Sequence, residues 1–207
     1  MLKRTKGCLL LALLVITGFA GTLRVDSISQ KERKYALKEM KETKNEVLKS
    51  VKGLSDEQLN FKAAPDLWSV KECMYHIAIS EKNLWDLLEN NMKAPANPEK
   101  RSEIKMTDEQ LVKMMEDRSF KVKTAEPFEP KNTPYQSLED AIADFKNRRN
   151  DHIKYMKTST EDLRNHIVQM PFGAIDCYQL CLMIASHSDR HNQQINEVKA
   201  NANFPSR

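Results

Sequence analysis

The chain has 207 residues, of which 40% are hydrophobic and 30% are charged, and its formal net charge is +4. This length favours a single folded domain, and the balance of apolar and charged residues is typical of a soluble helical protein. Two of the five glycines, Gly7 and Gly18, fall in the first twenty residues, and Gly21, Gly53 and Gly173 stand far apart, which excludes a Gly-rich phosphate loop and argues against a nucleotide-binding fold.

The first twenty residues have the pattern of an export signal. Lys3, Arg4 and Lys6 precede an apolar run over residues 8–20, which is short for a membrane span and ends in the small residues that a signal peptidase needs. We therefore interpret residues 1–20 as a signal peptide and residues 21–207 as one exported, periplasmic domain. The alternative is an uncleaved N-terminal segment that anchors the chain to the inner membrane.

The positive charge belongs mostly to this leader. Its three basic residues are accompanied by no acidic ones, so the net charge of +4 falls to +1 over residues 21–207. In residues 31–52, lysines and glutamates alternate at spacings that favour pairing along a solvated helix face. We therefore expect no nucleic-acid partner and a membrane contact only if the N-terminal segment stays uncleaved, whereas a homodimer remains open.

Apolar periodicity predicts four long helices, at about residues 29–52, 69–90, 137–156 and 176–200. Capping boxes are expected where three of them begin: Ser29 with Glu32, Ser69 with Glu72, and Asp176 with Gln179. A short helical turn is expected at residues 55–59. A proline-rich connection between the second and third helices contains one subsidiary helix at about residues 107–121. The predicted fold is an all-α four-helix bundle with a long crossover.

Three cysteines lie outside the leader: Cys73, Cys177 and Cys181. They form no CxxC pair, and a disulfide between Cys177 and Cys181 on successive helical turns would be strained. We interpret all three as buried free thiols.

A histidine pair in the last helix is the strongest indication of a functional site in this sequence. His187 and His191 are four residues apart, so they lie about 40° from each other on one helix face. That face also carries Leu180, Ile184 and Ile195, and two imidazoles in such an apolar seam are well suited to binding a divalent transition metal.

A third ligand is expected from the second helix. His76 lies there near the edge of the apolar stripe, whereas His152 and His166 have polar neighbours and are interpreted as solvated. Gln194 falls close to the direction of His187, so it is either a group that orients a ligand or a bound water, or an ordinary buried amide.

Other polar and aromatic residues near these histidines have structural interpretations. Glu72, one turn before His76, is assigned to the helix cap rather than to a histidine ring. Trp68 and Trp85 are assigned to packing in the core or at its rim rather than to a substrate cage.

Four parts of the chain resemble the DinB-like family: residues 54–59 (LSDEQL), residues 65–72 (PDLWSVKE) followed by His76-Ile77, residues 172–176 (FGAID), and residues 187–191 (HSDRH) followed by Gln194-Ile195. The resemblance extends over nearly all of the chain after the leader. It implies a four-helix bundle in which His76, His187 and His191 hold one divalent metal, which could be zinc, nickel, manganese or iron.

The resemblance leaves the reaction open. The first hypothesis is a metal-dependent hydrolase in which the three-histidine site lowers the pKa of a bound water. The sequence shows no H-E-x-x-H pattern, and Asp189 points away from His191, so no general base is evident. The alternatives are a non-catalytic, stress-related metal-binding protein of the envelope and a thiol transferase, although the thiols such transferases use are mainly cytosolic. The substrate, a small molecule, is not identified.

Overall fold

The computed structural model describes residues 28–206. The predicted signal peptide at residues 1–20 lies outside this range and stays a prediction. Residues 28–206 form six α-helices and one β-hairpin in the order α1 (Gln30–Val51), α2 (Asp56–Asn60), α3 (Val70–Lys93), α4 (Asp108–Glu116), α5 (Leu138–Thr158), β1 (Ile167–Met170), β2 (Gly173–Asp176) and α6 (Cys177–Lys199).

The helices begin where side-chain caps satisfy their first backbone N–H groups. The predicted capping boxes at Ser29, Ser69 and Asp176 are all present. At Ser69, the backbone N–H donates to Glu72 Oε2 at 2.8 Å, which confirms the assignment of Glu72 to the cap. After α1, Gly53 adopts a φ of 70°, a left-handed conformation that glycine accepts without steric cost.

Four long helices form the bundle. α6 packs against α1 and α3, and α5 packs against the same two helices from the opposite corner. The short α4 packs on the outside of α6. The predicted four-helix bundle with a long connection between its second and third long helices is therefore confirmed. No helix within residues 28–206 is both long and apolar enough to cross a bilayer.

The crossover is less helical than the sequence suggested. The subsidiary helix expected to reach residue 121 ends at Glu116. The rest of the connection contains three short 3-10 helices, at Pro98–Glu103 before α4 and at Glu126–Phe128 and Pro130–Asn132 after it. Each turn has a proline in its first two positions, where a missing N–H is tolerated. The irregular backbone after α4 forms a wall beside α6.

A β-hairpin that the sequence analysis missed precedes α6. β1 and β2 pair antiparallel, with Met170 opposite Gly173 across the turn and Ile167 opposite Asp176 at the open end. Gly173 has a φ of 127°, which a side chain would strain. The hairpin delivers Asp176 as the N-cap of α6 and holds its turn beside α4.

A buried ion cluster joins the four long helices at the centre of the bundle. Arg149 of α5 makes two hydrogen bonds to Glu81 of α3, at 2.7 and 2.6 Å, and both side chains are fully buried. Arg149 also donates to Thr43 of α1 and to Ser188 of α6, each at 2.8 Å. His152 Nδ1 lies 2.7 Å from Glu81 Oε1.

This cluster corrects the interpretation of His152 as solvated. The ring is 3% exposed and stacks on Trp85 with ring centroids 3.6 Å apart. His152 and Arg149 follow Phe145 and precede Met156 at helical spacing, so they share the core face of α5 despite their charged neighbours. His166 is also buried, beside β1, with its Nδ1 3.0 Å from the carbonyl oxygen of Asn91.

The cysteines follow their prediction. Cys73, Cys177 and Cys181 are all free and buried. Burial raises the pKa of Cys177 to about 12 and raises the pKa of the other two thiols as well, so all three remain protonated near neutral pH. They act as small apolar residues of the core.

The ion cluster predicts that the neighbouring residues Arg148 and Arg149 contribute very unequally to the free energy of unfolding. Arg149→Met should lower the free energy of unfolding by about 3–5 kcal/mol, because it leaves the Glu81 carboxylate buried without its partner. Arg148→Met should change it by less than about 1 kcal/mol, because its pair with Asp144 is partly exposed. Urea denaturation measures both, and equal losses would contradict a central role for Arg149.

A second prediction concerns pH. Burial and the nearby carboxylates of Asp189, Glu39 and Glu46 raise the pKa of Glu116 to about 7. In the unfolded chain the pKa is about 4.3, so the ionised Glu116 carboxylate destabilises the fold above about pH 7, and this cost disappears as the pH falls towards about 4.3. Glu116→Gln should therefore raise the melting temperature at about pH 8 and have little effect at about pH 4. Thermal unfolding of this variant and of Glu109→Gln, which removes an exposed charge from the same helix, checks the difference.

Candidate metal centre

The three histidines singled out in the sequence come together from two neighbouring helices. His76 lies in the second turn of α3, and His187 and His191 lie near the middle of α6. The Nε2 atoms of His76 and His187 are 3.3 Å apart. One nitrogen of each of the three rings lies within 4.8 Å of the other two, which is close enough for the three to share one metal ion.

Hydrogen bonds on the outer nitrogens orient two of the rings. His76 Nδ1 lies 2.7 Å from the carbonyl oxygen of Phe128, and His191 Nδ1 lies 3.0 Å from Gln194 Oε1. Both oxygens can only accept, so each Nδ1 carries the hydrogen, and the Nε2 lone pair of each neutral ring is left available as a ligand. Gln194 thus contacts His191 directly, in agreement with its interpretation as a group that orients a ligand.

The surroundings keep the three rings neutral. Burial lowers the pKa of His76 to about 4, and burial together with His76 and Arg190 lowers the pKa of His187 to about 3. Burial and the two neighbouring imidazoles hold the pKa of His191 well below its ordinary value. Within residues 28–206, no carboxylate is hydrogen-bonded to these rings. Neutral imidazoles are the form that binds transition metals.

The donor set fits a divalent transition metal. His76 presents a lone pair to His187 across 3.3 Å, and two nitrogen atoms at that distance need either a proton or a shared cation between them. Three imidazoles are also the ligand set of catalytic zinc sites, which keep a further position open, and two of these three have their outer nitrogens hydrogen-bonded. His76, His187 and His191 are therefore the residues that could hold the metal.

An apolar cavity of about 510 Å³ opens on one side of the histidines. It lies between α3, α4, α6 and the hairpin turn, and the irregular chain after α4 borders it. Its apolar lining comes mainly from Leu84, Met114, Met115, Phe128, Met170 and Met183.

A polar cavity of about 650 Å³ lies on the other side, and His191 borders both cavities. Trp68 also borders this space and packs against two of the rings: its ring centroid lies 4.9 Å from that of His76 and 5.8 Å from that of His191. Of the two tryptophans assigned to packing, Trp85 lies in the core and Trp68 covers the histidines.

Comparisons with known proteins agree with this architecture. YfiT from Bacillus subtilis, described as a probable metal-dependent hydrolase with an unusual four-helix bundle topology, superposes with a TM-score of 0.58 at 16% identity. The superposition covers 83% of this chain and 88% of YfiT, and at this identity it shows a shared fold. The uncharacterized protein YuaE of Bacillus subtilis (strain 168) is 26% identical over 166 residues, which are 76% of this chain and 93% of YuaE.

The model of the DinB superfamily matches residues 39–195. This range begins in α1, ends in α6 and contains all three histidines. Since the match extends over most of the chain and the bundle is the one seen in YfiT, the protein belongs to the DinB superfamily.

Proposed function

We propose that His76, His187 and His191 hold one divalent transition metal and that the protein is a metal-dependent hydrolase. The convergence of three neutral imidazoles, with the outer nitrogens of two of them already hydrogen-bonded, is the observation that carries this proposal. Among the candidate ions, imidazole ligands suit zinc, nickel and iron better than manganese, which prefers oxygen. The description of YfiT as a probable metal-dependent hydrolase supports the same reaction class.

A divalent ion bound by three imidazoles supplies an open coordination position and lowers the pKa of a bound water towards neutrality. Around it, Phe128 and Gln194 fix the orientation of two rings, and Trp68 covers them from the polar cavity. In the net reaction, the oxygen of one water bonds to the electrophilic atom of the substrate, the bond to the leaving group breaks, and the leaving group takes a proton. The described residues lining the apolar cavity include no carboxylate, and we assign no general base.

The second candidate function is non-catalytic: the bound metal would stabilise the bundle, and the protein would turn over no substrate. His76 belongs to α3, whereas His187 and His191 belong to α6, so one ion would link two helices that already pack together. Screening the metal-loaded protein against ester, amide and phosphate substrates separates the two functions, because only the hydrolase turns one of them over in proportion to its metal content.

The ligand set predicts which histidine variants lose metal. Purified protein should contain about one metal ion per chain. Alanine at position 76, 187 or 191 should strongly reduce that content, and His166→Ala, which removes a buried histidine far from the group, should not. Elemental analysis after loading with zinc, nickel, manganese or iron measures the stoichiometry.

The same metal should contribute to folding stability, because it binds the native state only. A chelator should lower the melting temperature of the native chain and leave that of the His187→Ala, His191→Ala double variant unchanged. If no metal is bound under any loading condition and the chelator has no effect, the three histidines are packing residues and the hydrolase proposal fails.

Gln194 offers a finer prediction. Gln194→Leu should weaken metal affinity by about 10- to 100-fold, because the acceptor for His191 Nδ1–H is lost. Gln193→Leu is the matched control, since Gln193 bonds to Asp189 and to the backbone of Glu116 instead. Competition with a fluorescent chelator gives both affinities, and equal values for the two variants would assign Gln194 to ordinary packing.

A further inference from the structure

The exposed large hydrophobic side chains of residues 28–206 gather at one place. They are Phe120 at 46% exposed, Val122 at 67% and Phe172 at 39%, and all three border the apolar cavity beside the histidines. Single exposed apolar residues are common, but a group of them around a cavity mouth is typical of a binding site for an apolar ligand. The entrance of the cavity is therefore apolar as well as its lining.

The interior suits a flexible apolar group. Four of the lining side chains are methionines, at positions 114, 115, 170 and 183, and methionine adapts its shape to irregular apolar ligands. A volume of about 510 Å³ lies within the usual range for a small-molecule site.

Ser80 gives this cavity a polar end. Its side chain borders the cavity one turn after His76 on α3, so the two point the same way. Its Oγ is buried and has no hydrogen-bond partner within the described residues. A buried hydroxyl without a partner is costly, and a ligand oxygen beside the histidines would satisfy it.

We propose that the substrate is an amphiphile whose straight apolar chain occupies the methionine-lined cavity and whose polar group lies between Ser80 and the three histidines. This inference rests on the proposed function, because it names the substrate class of the same site. The rest of the polar half of this amphiphile lies in the polar cavity beyond His191. Lys123 and Arg190 border both cavities.

Binding of straight-chain carboxylates tests this inference without requiring turnover. Hexanoate, octanoate and decanoate are titrated calorimetrically into the full chain. Each added methylene should strengthen binding by about two- to fourfold, as expected for burial of apolar surface. The same chain-length dependence should persist, at lower overall affinity, in the His187→Ala, His191→Ala variant, because it arises from the cavity.

Three further variants separate the contributions of the methionine lining and of the Ser80 hydroxyl to carboxylate binding. Met115→Gln should reduce the chain-length dependence, whereas Met92→Gln, a partly buried methionine that does not line either cavity, should leave it unchanged. Ser80→Ala should weaken all three carboxylates equally, by about two- to tenfold, without lowering the melting temperature of the free protein, since the hydroxyl has no partner to lose.

The outcomes separate this inference from the proposed function. Affinity that does not change with chain length, in both the native chain and the double variant, overturns the amphiphile and leaves the metal site standing. Chain-length dependence in a protein that binds no metal supports the amphiphile site and overturns the hydrolase. A Ser80→Ala variant that melts lower and binds the carboxylates normally removes the hydroxyl from the proposed site.

Discussion

Arg149 and Glu81 are two opposite charges fully removed from water, and the bundle is arranged around their pairing. From α5, the guanidinium of Arg149 donates to the other three long helices: to Glu81 of α3, to Thr43 and the Met40 carbonyl of α1, and to Ser188 and the Ile184 carbonyl of α6. A buried ion pair adds little net stability compared with apolar packing, but it is very costly to separate. It therefore fixes which faces of the helices meet.

The histidine group depends on this constraint through α6. Ser188 and Ile184 hold α6 by hydrogen bonds to Arg149, and His187 and His191 lie on the adjoining face towards α3. Two of the buried imidazole environments in the bundle differ in charge. His152 is bonded to the Glu81 carboxylate, whereas the three histidines of the candidate metal centre face one another without one. In the second environment the rings stay neutral, and the lone pairs of neutral imidazoles are what a transition metal binds.

The segments outside the four long helices form most of the cavity through which a ligand would reach the candidate metal centre. α4 and the chain after it, together with the hairpin turn, enclose the apolar cavity, and the Phe128 carbonyl from the same connection orients His76. The two cavities meet at His191 and differ in polarity, so a molecule spanning them would meet apolar surface on one side and charged groups on the other. The irregular backbone of the crossover is therefore part of the site.

The sequence by itself determined the four long helices, three of their four capping boxes, the buried free thiols and the grouping of His76, His187 and His191, because helical spacing and local caps depend on near neighbours along the chain. It did not determine the hairpin, whose strands are only four residues long, or the length of α4, which ends before its apolar pattern does. It also misplaced His152: local charge suggested solvent, whereas the partner that makes burial possible, Glu81, lies 71 residues away. Only the tertiary structure brings such distant charges together, and only it joins α3, α6 and the crossover into two cavities that meet at His191.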